Sequence, residues 1–353
     1  MLKESLNKMN TSNENELNRA SKAGIITWAL LTDRKFVILI ITFGLALDGS
    51  TCFKDLYFVP DTYQTTRLVL VSIRQWTCAF LLVLFYVRRK KYSDLIIHFE
   101  RKTKIELSPA LVDYLNKNRF IFQIFTLTHC CACILVVSVA WYNFSFALLP
   151  YFPYIFIGLA TIGILCFLVF LRFFIEACLY IHTCFMRVEH QVNILNNSTN
   201  ALSIDDIRKV RRLYCIAVET TEKFNCLFMP IIALYFVINI VSSHFSLVYS
   251  IVDPSYVTLL ISFIELANFI IVTYHTIYIN HLSTRIYQSV YSLTYKTDSL
   301  FTNKEVNLFL TRIERADVGF TFLDLFVITP TCVTSLATIS LTIALATPSL
   351  VKC

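Results

Sequence analysis

The chain has 353 residues, of which 56% are hydrophobic and 16% are charged, and its net charge is +7 at pH 7. This composition excludes an ordinary water-soluble domain, which holds about 25% charged residues. The positive charge requires no nucleic-acid partner, because loops facing the cytoplasmic side of a membrane are usually basic. Only six glycines occur and no alternating pattern recurs, so a helical membrane protein is predicted rather than a barrel.

Residues 1–35 are predicted to be a cytoplasmic N-terminal tail, and because residues 1–24 contain no apolar core, no cleaved signal peptide is expected. Seven apolar stretches follow, and a helix needs about 20 such residues to cross a bilayer. They predict an all-α, polytopic receptor domain over 36–348. Its seven transmembrane helices lie at about 36–56, 66–87, 119–142, 151–180, 224–250, 256–281 and 321–347.

Basic residues are sorted between alternate loops. The tail and the loops after the second, fourth and sixth stretches hold 26 Lys and Arg, whereas the other loops and the C-terminus hold three. Because basic residues stay on the cytoplasmic side, the N-terminus is predicted inside and the C-terminus outside. This places a multi-pass protein in the plasma membrane, in the orientation opposite to that of a G-protein-coupled receptor.

The cytoplasmic segments carry helix signals. Ser108-Pro109 is typical of an N-cap followed by proline at the first helical position, and this helix is expected to run unbroken into the third stretch. Ser203 followed by Asp206 predicts a second helix start. If that helix continues to Ser250, it is about 70 Å long, over twice the bilayer core.

A third cytoplasmic helix is predicted before the last stretch. Thr302-x-x-Glu305 matches a capping box. An apolar stripe follows it at helical spacing, namely Val306, Phe309, Leu310 and Ile313. Two interpretations stay open: this helix lies on the membrane surface, or the cytoplasmic helices pack on each other or on neighbouring subunits.

Ionisable residues inside the apolar stretches are candidate functional groups, because a charge in lipid is costly unless it is paired or hydrated. Arg74 and Glu265 lie at similar predicted depths and are expected to pair. The pair either only orients helices or forms a polar wall of a ligand pocket open to the outside. Aromatic candidates for an apolar pocket wall are Trp76, Trp141, Tyr142, Phe146, Phe245, Tyr249 and Tyr256.

Other buried polar groups are expected to be structural. Arg172 and Glu176 are four residues apart near the inner end of the fourth stretch, which favours an ion pair within one helix. His129 and His275 are expected to hydrogen-bond neighbouring helices. Twelve cysteines occur, but most lie within the apolar stretches, and no spacing typical of a metal site is present. No cofactor, metal or catalytic set is predicted.

The last stretch is rich in small hydroxyl residues between Thr329 and Thr347. Such residues allow close helix packing or line a water-filled channel. Pro330 is expected to kink or open the cytoplasmic half of this helix. Asp324, at its cytoplasmic end, is either a cation-attracting charge at a pore mouth or a capping residue.

The segment Gly319-Phe320-x-Phe322-x-Asp324 is similar to the entry to the last helix in the insect gustatory/odorant receptor superfamily. The predicted architecture also resembles that family over nearly the whole chain. It has seven spans, a cytoplasmic N-terminus, very short extracellular loops and cytoplasmic helical extensions. The family's divergent nematode gustatory-receptor-like and Srr-type members look most similar. The family usually continues with Thr-Tyr, five hydrophobic residues and Gln-Phe. Thr338 matches the first position, and the Tyr, Gln and Phe are missing.

The resemblance implies a ligand-gated, non-selective cation channel. Four subunits, identical or mixed, would meet through the cytoplasmic ends of their later helices, and a small molecule would enter from outside among helices two to six. The last helix would line the central pore, with Thr338, Thr342 and Ala346 facing it and Ile339 and Ile343 as gate residues.

Two rival classes are weighed. A G-protein-coupled serpentine chemoreceptor requires the reverse orientation, and the chain has no Asp-Arg-Tyr-like sequence after the third stretch and no Asn-Pro-x-x-Tyr in the last. A small-molecule transporter often shows internal repeats and helices broken by Gly or Pro, whereas no repeat is found here. An enzyme is not expected, since no His/Asp/Glu cluster lies near one interface.

Overall fold

The computed structural model describes residues 35–55, 62–87, 109–144, 152–199, 201–252, 256–297 and 299–351. These residues form an all-α bundle with one small β-hairpin. The elements in chain order are α1 Lys35–Asp55, α2 Thr62–Val87, α3 Pro109–Phe144, α4 Phe152–Asn197, α5 Ile204–Val252, α6 Tyr256–Tyr291, a 3-10 helix Ser292–Lys296, α7 Leu300–Glu314, β1 Thr321–Phe322, β2 Phe326–Val327 and α8 Pro330–Val351.

Two predicted long helices are confirmed. Helix α3 begins at Pro109 and is continuous to Phe144. Helix α5 begins directly after Ser203, whose hydroxyl accepts a hydrogen bond from the backbone N–H of Asp205 at 3.2 Å. Its 49 residues correspond to about 73 Å of helix. Pro230 lies inside α5, at the point where the helix passes from its charged first half into its apolar second half.

Helix α4 is the central element, since it packs against α1, α3, α5 and α6. Its inward face is completely buried along the sequence that contains Ala177, Cys178, Ile181 and Phe185. Helix α2 packs against α1, α4 and α5, and α8 packs mainly against α5. The core is therefore continuous from α1 and α2 to the end of the bundle that contains α7.

The predicted stripe of α7 is confirmed as a packing face. Val306, Phe309, Leu310 and Ile313 are all buried, and α7 packs on α5 and α6. Phe309 contacts Tyr214 of α5 with ring centroids 5.3 Å apart, and Tyr214 in turn meets Phe185 of α4 at 5.8 Å. Burial raises the pKa of the Tyr214 hydroxyl. Of the two interpretations, helix-on-helix packing is correct.

The predicted capping box is wrong. Helix α7 begins at Leu300, with Ser299 at the N-cap, so Thr302 lies inside the first turn and is buried. Glu305 instead forms ion pairs across to α5, with Arg208 at 3.1 Å and Arg211 at 3.2 Å. A glutamate near the start of a helix can either cap the helix N-terminus or form an ion pair with a neighbouring helix. Here the arginines of α5 are the stronger partners.

The last helix begins later than predicted. Residues 321–327 form a two-stranded antiparallel hairpin that pairs Thr321 with Val327 and Phe322 with Phe326. Helix α8 begins at Pro330, where proline fits the first turn without removing a needed donor, so no kink results. The hydroxyl of Thr329 accepts a hydrogen bond from the backbone N–H of Cys332 at 3.2 Å and caps the helix.

By length and composition, one helical stretch within the described residues qualifies as a membrane span, Ser262–Lys296. Shorter apolar helical stretches occur at Ile38–Leu47 and Pro330–Ile339. The seven predicted membrane crossings therefore stay a prediction.

Candidate functional site

The outward face of α6 changes character along the helix. In its first half, large apolar side chains are exposed at helical spacing, namely Leu259, Phe263, Leu266 and Ile270. In its second half, the exposed side chains are His281, Arg285 and Gln288, together with Tyr274 and Tyr291, which carry a polar hydroxyl. A stripe of this kind, turned away from the bundle over about three turns, is suited to contact lipid.

Helices α3 and α5 show the same change. In the first part of α3, Asp113, Asn116 and Lys117 are exposed. From Phe120 onward, exposed apolar residues occur, namely Phe120, Ile121, Ile124 and Leu127. In α5, the exposed side chains are mainly charged up to Glu222, whereas Leu234 and Val237 are exposed beyond it. Three helices thus divide into a polar and an apolar part.

Direct contacts place these changes at one level of the bundle. The Tyr114 hydroxyl of α3 lies 3.1 Å from Nδ1 of His182 on α4, and Nε2 of His182 lies 3.0 Å from the carbonyl oxygen of His275 on α6. Phe174 of α4 meets Phe228 of α5 with ring centroids 5.4 Å apart. These contacts lie within eight residues of α4, about 12 Å of helix, so the polar-to-apolar changes fall in one band across the bundle.

His182 was missed by sequence reasoning, although it links three helices. A carbonyl oxygen can only accept, so Nε2 carries the hydrogen that it donates to His275, and Nδ1 accepts from the Tyr114 hydroxyl. The ring stacks on that of His275 at 5.6 Å. His182 lies just past the predicted fourth span. Its side chain forms hydrogen bonds to neighbouring helices, as was expected of the side chain of His275, and only its tertiary neighbours reveal this.

The expected ion pair between Arg172 and Glu176 is wrong. Glu176 is buried and is bound by Arg119 of α3, through Nε at 2.9 Å and Nη2 at 2.9 Å. This bidentate geometry uses the fork of the guanidinium fully and joins two helices. A local i,i+4 spacing could not compete with an arginine that the neighbouring helix presents at the same level.

The predicted pocket residues are placed in part. Glu265 is buried on α6 and lies one turn before Asn268, whose carbonyl oxygen accepts a hydrogen bond from the Tyr235 hydroxyl of α5 at 3.3 Å. Trp76 is half exposed and its ring lies against Gly49 of α1, where an added Cβ would stand 2.6 Å from Trp76 Cδ1.

The structure does not place the remaining predicted pocket residues around a pocket. Tyr256 is 93% exposed at the start of α6. Side chains that lie outside the described part of the chain are those of Arg74, Trp141, Tyr142, Phe146, Phe245 and Tyr249. The pairing of Arg74 with Glu265 accordingly stays a prediction.

The predicted pore residues lie on the exposed side of α8. Thr338 and Thr342 are exposed, and their hydroxyls donate to the carbonyl oxygens of Thr334 and Thr338 at 2.9 and 2.8 Å. Ile339, next to them, is also exposed. The side chains of Ile343 and Ala346 lie outside the described residues. Helix α8 packs on α5, and the side chains described from Ala337 to Thr342 are all exposed, including the hydroxyls of Thr338 and Thr342, which are satisfied within the helix.

Asp324 does not cap the last helix. It lies in the hairpin turn with a φ of 57°, exposed, and its Oδ1 accepts a hydrogen bond from the Thr321 hydroxyl at 2.9 Å. Aspartate tolerates this left-handed conformation better than most residues. Its expected place at a pore mouth stays a prediction, and the residue lies six positions before the start of α8.

No family model matches the sequence, and no curated protein matches it. The fold, however, is similar to the solved structure of the insect olfactory receptor OR5 from Machilis hrabei, with a TM-score of 0.56, 15% identity and 89% of each chain covered. The structure of the same receptor in complex with eugenol gives a TM-score of 0.56 at 15% identity, covering 88% of each chain. The likeness extends over nearly the whole length of both chains and shows a shared fold.

Proposed function

We propose that this chain is a chemosensory receptor of the plasma membrane and a subunit of a ligand-gated, non-selective cation channel. The observation that carries the proposal is the common band in which the outward faces of α3, α5 and α6 change from polar to apolar. A soluble monomer rarely exposes a contiguous row of large apolar side chains such as Leu259, Phe263, Leu266 and Ile270. The olfactory-receptor fold supports the same proposal.

The orientation follows from charge. The polar part of the bundle contains α7, the basic face of α5 and the ends of α4 and α6, which is where the loops rich in Lys and Arg belong. Basic loops stay in the cytoplasm. The seven long helices then cross the membrane with the N-terminus inside and the C-terminus outside, and α7 belongs to a cytoplasmic bundle.

The ligand is proposed to be a small organic molecule that enters from outside. The olfactory receptor with the same fold was solved in complex with eugenol, which supports an apolar pocket among the outer halves of the helices. Buried Glu265 provides a polar group in such a pocket. Arg74, Trp76, Trp141, Tyr142 and Tyr249 are the other residues assigned to this site.

The pore is proposed to lie between four subunits, lined by α8. The exposed hydroxyl face with Thr338 and Thr342 has no partner among the described residues of a single chain, and its small side chains suit a hydrated axis. Ile339 and Ile343 are assigned to the gate, Ala346 to the outer pore and Asp324 to its cytoplasmic mouth. A nematode-type gustatory subtype belongs to the same proposal.

Epitope tags at the two ends of the chain test the topology. In unpermeabilised cells the C-terminal tag should bind antibody, and the N-terminal tag should bind only after permeabilisation. The reverse pattern would refute the channel and return the chain to the serpentine receptors of opposite orientation.

A bulky residue in the pore tests the channel. Thr342→Trp should abolish ligand-evoked current at unchanged surface expression. Thr128→Trp is the matched control, because Thr128 is also an exposed helical threonine whose hydroxyl donates to its own helix, at 3.0 Å to Ile124. Equal currents in the two variants would contradict a pore along α8.

A further inference from the structure

The segment between α7 and α8 is held by two buried asparagines from two different helices. Asn280 of α6 donates from Nδ2 to the carbonyl oxygens of Ala316 and Val318, at 3.2 and 2.9 Å. Asn225 of α5 donates to the Thr321 hydroxyl at 2.8 Å and accepts from the Thr321 backbone N–H at 2.8 Å. The two attachment points are therefore only three residues apart in the chain.

An aromatic anchor lies between these attachments. Phe320 is completely buried, with ring contacts to Phe174 of α4 at 5.7 Å and to Phe228 of α5 at 6.2 Å. Gly319 precedes it with a φ of 159°, and a Cβ there would stand 2.8 Å from Cγ1 of Val327. The segment is thus fixed by packing as well as by hydrogen bonds, and α8 begins nine residues after Thr321.

The two asparagines have a chemical reason to hold this segment. A buried amide without a hydrogen-bond partner is costly, and both side chains are more than nine-tenths buried. The hydrogen bonds of both side-chain amides go to residues in 316–321. The Thr321 hydroxyl continues the network by donating to Asp324 in the hairpin turn.

We propose that Asn225 and Asn280 are positioning residues that couple the packing of α5 and α6 to the placement of α8. When α5 slides relative to α6, the attachments at Val318 and Thr321 move apart or together, and the short segment transmits this displacement to the start of the last helix. The inference rests on the proposed function, since it assigns to that channel the route from the ligand-binding helices to the pore.

Thr321 provides a test because its side-chain hydroxyl can be removed while its backbone N–H, which also bonds Asn225, is kept. Thr321→Val keeps the backbone bond to Asn225 and removes the hydroxyl, whereas Thr321→Ser keeps both. Asn307→Ala is the control for removal of a polar side chain, since Asn307 is exposed on α7. Each variant is made in full-length protein that also carries Thr342→Cys, and reaction with a charged, membrane-impermeant methanethiosulfonate is followed from outside the cell.

Thr321→Val removes the bond from Asn225, which is part-buried, and the exposed bond to Asp324. We expect it to speed the reaction of the introduced thiol about fivefold, the factor that corresponds to the loss of the bond from Asn225. Hydrogen–deuterium exchange of 316–329 in the purified protein should rise in the same variant. Thr321→Ser and Asn307→Ala should match the parent in both measurements. A purely structural role would lower the folded amount and leave the rate per folded molecule unchanged.

Two results would overturn the inference in distinguishable ways. Equal thiol reaction rates in Thr321→Val and the parent refute the coupling alone, whatever the hydrogen exchange shows. A thiol that does not react in any variant refutes a hydrated face on α8, and with it both the proposed channel and this coupling.

Discussion

Arg119 and Glu176 join α3 to α4 through a bidentate ion pair at the level where the outward faces of the helices change from polar to apolar. The Nη2 to Oε2 distance is 2.9 Å, and the Glu176 side chain is only 4% exposed. A carboxylate that is so buried depends on its partner, because the desolvation of the charge is offset only by the guanidinium.

Removal of one member of this pair should destabilise the protein strongly. We expect Glu176→Gln to cost about 3 kcal/mol, because Arg119 is left without its counter-charge. Lys223→Gln, which breaks an exposed pair with Glu219 within α5, should cost less than about 1 kcal/mol. Thermal unfolding of the detergent-purified protein measures both, and similar shifts in the two variants would contradict the assignment.

The His182 linkage predicts strongly non-additive mutations. His182→Phe keeps an aromatic ring but leaves the Tyr114 hydroxyl and the His275 carbonyl without their partner, so we expect a loss of about 2 kcal/mol. Tyr114→Phe removes one bond and should cost about 1 kcal/mol. The double variant should be no less stable than His182→Phe alone, and simple addition of the two losses in thermal unfolding would argue against a shared hydrogen bond.

Adjacent residues of α7 should respond oppositely to truncation. Phe309 is completely buried against Tyr214, so Phe309→Ala is expected to cost about 3 to 5 kcal/mol through the cavity that it leaves. Leu308→Ala changes a residue that is 47% exposed and should stay within about 1 kcal/mol. Limited proteolysis of the 282–320 region reports the difference, and equal protection of both variants would contradict the packing of α7.

Two residues before the hairpin, Gly319 and Ala316, have positive φ angles, and we expect their substitutions to have opposite effects. Gly319→Ala places a Cβ 2.8 Å from Val327 at a φ that residues with side chains rarely adopt, and surface expression should fall severalfold. Ala316→Gly, at a residue whose φ is 49° and which is exposed, should be neutral or slightly stabilising. Normal expression of Gly319→Ala would show that the segment adapts without strain.

Local patterns predicted the helices well. Proline at position 109, serine at 203 and the apolar spacing from Val306 to Ile313 depend on residues within a few turns, and each matches the structure. The partners of charged groups were predicted poorly, because the choice between Arg172 and Arg119 for Glu176 depends on which helix lies alongside.

The start of the last helix shows a second kind of failure. The stretch from 321 is mostly apolar and was assigned to the helix, but residues 321–327 form a hairpin whose first residue is bound through its backbone N–H by Asn225. His182 carried no sequence signal at all, since a single histidine near a span end does not reveal two partners that are 68 and 93 residues away. The ligand-pocket residues remain predictions from the sequence.

Pro230 gives α5 a built-in hinge. Proline has no N–H to donate to the carbonyl four residues earlier, so the rod is weakest about one turn beyond Asn225. Bending there would let the outer half of α5 swing while the inner half, clasped by α4, α6 and α7, stays in place. Under the proposed function, the two halves of this helix would meet separate demands, one for contact with the small molecule and the other for subunit assembly.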